Sequence, residues 1–134
     1  MALSYLLDTN TCSHIIKGTV AKIRQRLMVV PIAEVGISVI TEAELRFGVA
    51  RLPSAPRLQK AVDELLIRLE IAPWDSDVAK VYALLRADLE RRGAPMGNLD
   101  LMIAAHALAS GTTLVTSDRV FRRVKGLKLE DWAR

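Results

Sequence analysis

The sequence predicts an α/β fold, a mostly parallel sheet with helices on its faces, and three observations carry that reading. Short apolar runs alternate with longer stretches of helical period. The short runs are apolar on both faces, as strands covered from both sides are. One helical stretch has no polar side at all, which places it in the interior.

The first run, Leu3–Leu7, is a strand candidate, and Val20, Ile23 and Leu27 then keep helical spacing. Ile37–Ile40 reads as a second strand. Pro53 and Pro56 break the chain before a helix carrying Leu58, Val62, Leu65, Leu66 and Leu69. Leu69–Ala72 is a weaker strand candidate. Val78, Val81, Tyr82, Leu85 and Leu89 mark the next amphipathic helix, which Gly93, Pro95 and Gly97 end. Leu99–Ser110 is the all-apolar stretch, with Asn98 suited to its N-cap and Gly111 to its stop. Leu114–Thr116 is the last strand read from the pattern.

Composition narrows the function. A chain of 134 residues is expected to form one domain, 1–134, and 51% hydrophobic with 25% charged residues excludes disorder. No apolar run reaches the ~18 residues of a spanning helix, and Met1–Asp8 lacks the features of a signal peptide, so a cytoplasmic protein is expected. A lone cysteine, Cys12, leaves neither an internal disulfide nor a zinc pattern and reads as a small buried hydrophobe. Lys and Arg outnumber Asp and Glu by 19 to 15, a net +4 that favours a polyanionic partner. Aromatic residues are only 4% and scattered, so such binding would rest on phosphates rather than on base stacking.

Four carboxylates stand at the ends of elements. Asp8 follows the first strand, Glu44 sits in the first turn after the second, Asp118 follows the last, and Asp100 opens the buried helix. Ligands of open α/β sheets lie outside the carboxyl ends of the strands. Four acids meeting there would repel one another and raise each other's pKa values unless cations neutralised them. A set of oxygen donors without cysteine suits Mg²⁺ or Mn²⁺, and such ions meet substrates through phosphate oxygens, so a phosphodiester is the natural substrate. One or two ions would polarise the phosphoryl group and stabilise the departing oxygen.

Each acid also has a structural reading. Asp8 would cap a short helix beginning near Thr11. Thr41–Glu42–Ala43–Glu44 matches the capping box, in which Glu44 reaches back to Thr41. Asp118 would cap a turn before Val120. For Asp100 a dipole contribution of ~0.3–1 kcal/mol is small beside the cost of burying a charge, so function is favoured there. His106 reads as a core histidine, His14 as a surface residue, and Trp74 and Trp132 as packing anchors. Arg119, Arg122, Arg123, Lys125 and Lys128 form a run of cations that reads as a solvated face or a phosphate-binding strip.

In order along the chain, Leu7–Asp8–Thr9–Asn10, Ser38–Val39–Ile40–Thr41–Glu42–Ala43–Glu44–Leu45, Asp100–Leu101–Met102–Ile103–Ala104–Ala105–His106–Ala107, Thr116–Ser117–Asp118 and Gly126–Leu127–Lys128–Leu129–Glu130–Asp131–Trp132 resemble the PIN-domain toxins of the VapC type over essentially the whole chain. The resemblance implies a three-layer sandwich of helices around a parallel sheet and metal-dependent endoribonuclease activity with Mg²⁺ or Mn²⁺. It implies a VapB-type antitoxin that neutralises the toxin and makes most of the operator-DNA contact, and a homodimer. Matching motifs carry the catalytic and metal-binding role to Asp8, Glu44, Asp100 and Asp118, with Thr9, Asn10 and Ser117 placed to orient water or phosphate. An aspartate-nucleophile phosphatase fits less well, because Asn10 stands where its second acid is expected. A non-catalytic nucleic-acid-binding module would leave Asp100 unexplained.

Overall fold

The computed structural model describes residues 2–134. Five short strands form one sheet: β1 (Tyr5–Leu7), β2 (Val35–Ser38), β3 (Glu70–Ala72), β4 (Thr113–Val115) and β5 (Lys128–Glu130). Their order across the sheet is β3-β2-β1-β4-β5, and every neighbouring pair is parallel. The helices are α1 (Thr9–Lys17), α2 (Ala21–Val29), α3 (Val39–Ala50), α4 (Pro56–Arg68), α5 (Ser76–Arg91) and α6 (Asn98–Ser110). Single 3₁₀ turns occupy Ile32–Glu34 and Arg119–Arg123.

Strand alternation divides the core in two. Leu6 and Leu114 point to the side covered by α5 and α6, where they join Leu85, Leu89, Leu101, Ile103 and Phe121. Leu7 and Val115 point to the other side, into Cys12, Ile23, Leu45, Val62 and Leu66 from α1 to α4. The expected three layers are therefore present. The α6 interior is buried at Leu101, Ile103, Ala104, Ala105 and Ala107, as a helix without a polar side requires, although Leu99 at its start is 48% exposed.

Several boundaries differ from the sequence pattern. The second strand ends at Ser38, and α3 follows at once, so Ile40 is helical and Glu44 lies in the second turn rather than the first. The cap of α3 is Ser38, whose hydroxyl accepts from the Ile40 amide. Thr41 is inside the helix and fully buried, which removes the capping-box reading of Glu44. Helix α6 begins one residue early, with Gly97 at the N-cap position and Asn98 as its first residue, and Gly111 ends it at φ 68°. Strand β5 falls on Lys128–Glu130, where the sequence shows no apolar run. In β2, Gly36 lies close to its neighbours: a Cβ there would sit 2.8 Å from the Glu70 carbonyl oxygen of β3.

Trp74 and Trp132 anchor packing as expected. The Trp74 indole donates to the Met102 carbonyl at 3.0 Å, and Trp132 stacks edge-on to Tyr5 and donates to Glu130. Among the described residues no helix is long and apolar enough to cross a membrane.

Candidate metal centre

The strand order reverses between β1 and β4: from β1 the chain builds outward to β2 and β3, then crosses over to β4 and β5. At such a switch point the loops leaving adjacent strands diverge and open a crevice. Asp8 leaves β1 and Asp118 leaves β4, and the two strands are tied there by the Asp8 amide donating to the Val115 carbonyl at 3.1 Å.

Asp8 is buried at 4% exposure, and one carboxylate oxygen accepts from the Thr11 amide at 2.8 Å, capping α1. Thr11 in turn donates its hydroxyl to Val115, which locks the start of α1 against β4. The neighbouring Thr9 hydroxyl donates to Glu44 Oε1 at 2.6 Å, so the start of α1 also orients the acid on α3. Asp118 caps the 3₁₀ turn by accepting from Val120, and its own amide donates to the Thr116 hydroxyl. The capping readings of Asp8 and Asp118 are thus correct as local structure. Each cap accounts for one carboxylate oxygen.

Asp100 shows that the four acids share a field. It sits half-buried in the first turn of α6, and its carboxyl is pushed above the usual range first by burial and then by the charges of Asp118, Glu44 and Asp8. This mutual repulsion is what a cation between the elements would relieve. The donors are carboxylate oxygens flanked by hydroxyls, which fits a hard divalent ion and not a soft one. No three His, Cys, Asp or Glu side chains among the described residues are grouped tightly enough to enclose an ion on their own. Mg²⁺ commonly takes one or two carboxylates and keeps several waters or phosphate oxygens.

Neither His106 nor Cys12 takes part in the crevice's chemistry. His106 Nδ1 lies 2.7 Å from the Ser38 hydroxyl, and burial holds its imidazole below the usual pKa, in the neutral form suited to a core residue. Cys12 is fully buried with its thiol pushed far up by burial, the opposite of a nucleophile. His14 binds Thr19 at the end of α1. One group the sequence pattern did not single out is Asp131. Although desolvation opposes it, hydrogen bonds from Ser117 and the Ala133 amide, with Arg134 alongside, hold its carboxyl below the usual range. Its signal was present only as the acid of the terminal Glu130–Asp131–Trp132 segment.

Comparison with known proteins agrees with this architecture. Residues 5–127 match the PIN domain. The chain is 37% identical over 131 residues to the tRNA(fMet)-specific endonuclease VapC of Salmonella typhimurium, covering 97% of this chain and 98% of that one. It is 37% identical over 130 residues to ribonuclease VapC2 of Rickettsia felis, covering 96% and 97%. Among solved structures it superposes on DNA-bound VapBC of Salmonella typhimurium with a TM-score of 0.91, at 37% identity and 97% and 98% coverage. On VapBC2 of Rickettsia felis bound to a promoter DNA fragment the TM-score is 0.89, at 36% identity and 97% and 99% coverage. A parallel sheet with Asp8 and Asp118 at its switch point, and a likeness that runs the length of both chains, lead to one assignment: the chain belongs to the PIN-domain family, among the VapC ribonucleases.

Proposed function

We propose that this protein is a metal-dependent endoribonuclease and the toxin of a VapBC-type pair, with Asp8, Glu44, Asp100 and Asp118 holding Mg²⁺ or Mn²⁺. The observation that carries the reading is the shared field of the four acids at the switch point, registered in the raised pKa of Asp100. A divalent cation bound there would polarise the scissile phosphodiester and offset charge on the leaving oxygen. The chain's own part is preorganisation. The Val115 carbonyl fixes the Asp8 backbone and the Thr11 amide its carboxylate, Thr9 holds Glu44, and the Thr116 and Val120 contacts fix Asp118. None of these groups is an activated nucleophile, so hydrolysis by water is the chemistry the site supports.

The relatives' solved complexes, VapBC bound to DNA, support a VapB-type antitoxin as partner; a homodimer, and operator DNA reached chiefly through the antitoxin, are part of the same proposal. An apolar groove of about 560 Å³ between α1, α2 and α4, lined by Ile15, Ile16, Leu27, Met28 and Ile32 among others, offers such a partner an apolar seat. The direct test is incubation of the purified protein with total cellular RNA, followed by mapping of new ends. Cleavage that needs Mg²⁺ or Mn²⁺ and stops with a chelator is expected. A shift in RNA mobility without new ends would replace the enzyme with a binding module.

A further inference from the structure

A second, polar cavity of about 190 Å³ adjoins the acid crevice, lined by Thr116, Ser117, Asp118, Arg119, Arg122 and Asp131 among others. Ser117 and Asp118 also line the small cavity that reaches Asn10, Thr11 and His14 at the start of α1. Ser117 and Asp118, after β4, therefore border both cavities, and Asp118 is itself one of the four acids of the proposed metal centre.

Three carboxylates line the cleft: Asp118, which belongs to the four acids, and two that are already engaged. Glu130 accepts from Arg26 and from the Trp132 indole, and Asp131 accepts from Ser117 at 2.7 Å, from the Ala133 amide and from Arg134. Because the Ser117 proton is committed to Asp131, that hydroxyl presents only lone pairs to the cleft and has no donor for an anion. The basic run divides in the fold. Arg123 donates to the Pro95 carbonyl and Lys128 to the Gly111 carbonyl, so both are drawn to backbone partners away from the cleft. Arg119 and Arg122 are exposed, line the cleft, and enter none of the ion pairs among the described residues.

We propose that Arg119 and Arg122 form a subsite for a backbone phosphate of single-stranded RNA next to the one held over the four acids. The proposal rests on the ribonuclease reading. Two unpaired guanidinium forks suit the oxygens of a phosphodiester. The shared wall at Ser117–Asp118 makes this cleft the continuation of the path a bound strand would follow. Asp131, by holding Ser117 and the chain end together, keeps that wall in place.

The test is anisotropy of a fluorescein-labelled, mixed-sequence 12-nucleotide RNA, titrated with protein in EDTA across a KCl series. Arg119→Ala and Arg122→Ala should each flatten the log affinity against log salt slope, and the double variant, which loses the one phosphate contact entirely, by about 0.7. Arg123→Ala and Lys128→Ala should leave the slope at the wild-type value. Unchanged slopes in Arg119→Ala and Arg122→Ala would overturn the subsite, as would an equal flattening in Arg123→Ala, which would mean diffuse surface charge. An acidic protein segment as the true occupant would show as unchanged RNA slopes with a weakened partner complex, and that too overturns the proposal. Cleavage of total RNA in Mg²⁺ by the wild type is scored in parallel. Its absence beside flattened slopes removes the nuclease reading alone, and its presence beside unchanged slopes removes the subsite alone.

Discussion

At Asp8 a structural duty and a chemical one fall on the same side chain, and substitutions separate them. The Thr11 amide needs an oxygen acceptor, which Asn supplies about as well as Asp. Asp8→Asn should therefore keep a wild-type melting temperature while cleavage falls to background, whereas Asp8→Ala should also lose about 1 kcal/mol of stability with the cap. Full activity in Asp8→Asn would reduce the residue to a cap. Asp100 differs because its carboxyl is held above the usual range by burial and by the neighbouring acids. A carboxylic acid with a raised pKa in the fold binds its proton more tightly folded than unfolded. Its contribution to stability is full below the unfolded value and is lost as pH rises through the folded one. At pH 7, without metal, Asp100 thus weakens the fold, and Asp100→Asn should melt higher than wild type. That advantage should shrink as pH falls through the carboxylate range, and Mg²⁺ should raise the melting temperature of wild type but not of the variant. A lower metal-free melting temperature for Asp100→Asn would mean that the helix dipole, not repulsion, governs this position.

Among the elements, the junction of β2 and α3 shows what a linear pattern conveys and what it does not. Ile37–Ile40 was legible as an apolar run, but the point at which extended chain becomes helix was not, because both conformations are apolar here. The deciding interaction is Ser38, which caps α3 through Ile40 and meets His106 of α6, 68 residues away in sequence. No local motif reports such a contact, and the capping-box text at Thr41–Glu44 misled for that reason. Strand β5 was hidden in another way. Lys128–Glu130 is a three-residue edge strand in which only Leu129 joins the core, too short to show a period. The acids themselves were readable, since the ends of parallel strands are where a charge has reason to sit. Ser38→Ala removes the cap and leaves the buried His106 nitrogen without its partner. A loss of about 2 kcal/mol is expected, read as a lower urea midpoint at unchanged slope. A midpoint equal to wild type would mean that α3 starts without help from α6.

For the whole molecule, the acid crevice and the apolar groove draw on different parts of one scaffold. The crevice lies at the carboxyl ends of β1 and β4, and the groove runs between α1, α2 and α4, with α1 common to both. Met28 is 79% exposed and Ile32 48%, a large apolar surface to leave open to water on a small protein, and Arg24, Glu64 and Arg68 give the groove a polar rim. An apolar centre within a charged rim is the make-up of a protein interface rather than of a nucleic-acid one. If the antitoxin lies there, Met28→Asp should weaken its complex by about tenfold, equivalent to ~1.4 kcal/mol, by putting a charge in the apolar seat. The same variant should cleave RNA as wild type does, because Met28 lies on α2, which contributes none of the four acids. In cells the expectation is a toxin that its antitoxin no longer restrains. Titration calorimetry with the purified partner, alongside a growth assay of co-expressed chains, decides it. Wild-type affinity in Met28→Asp would move the interface off the groove, and harmless expression of the wild-type chain alone, with cleavage intact, would remove the toxin role and leave the nuclease.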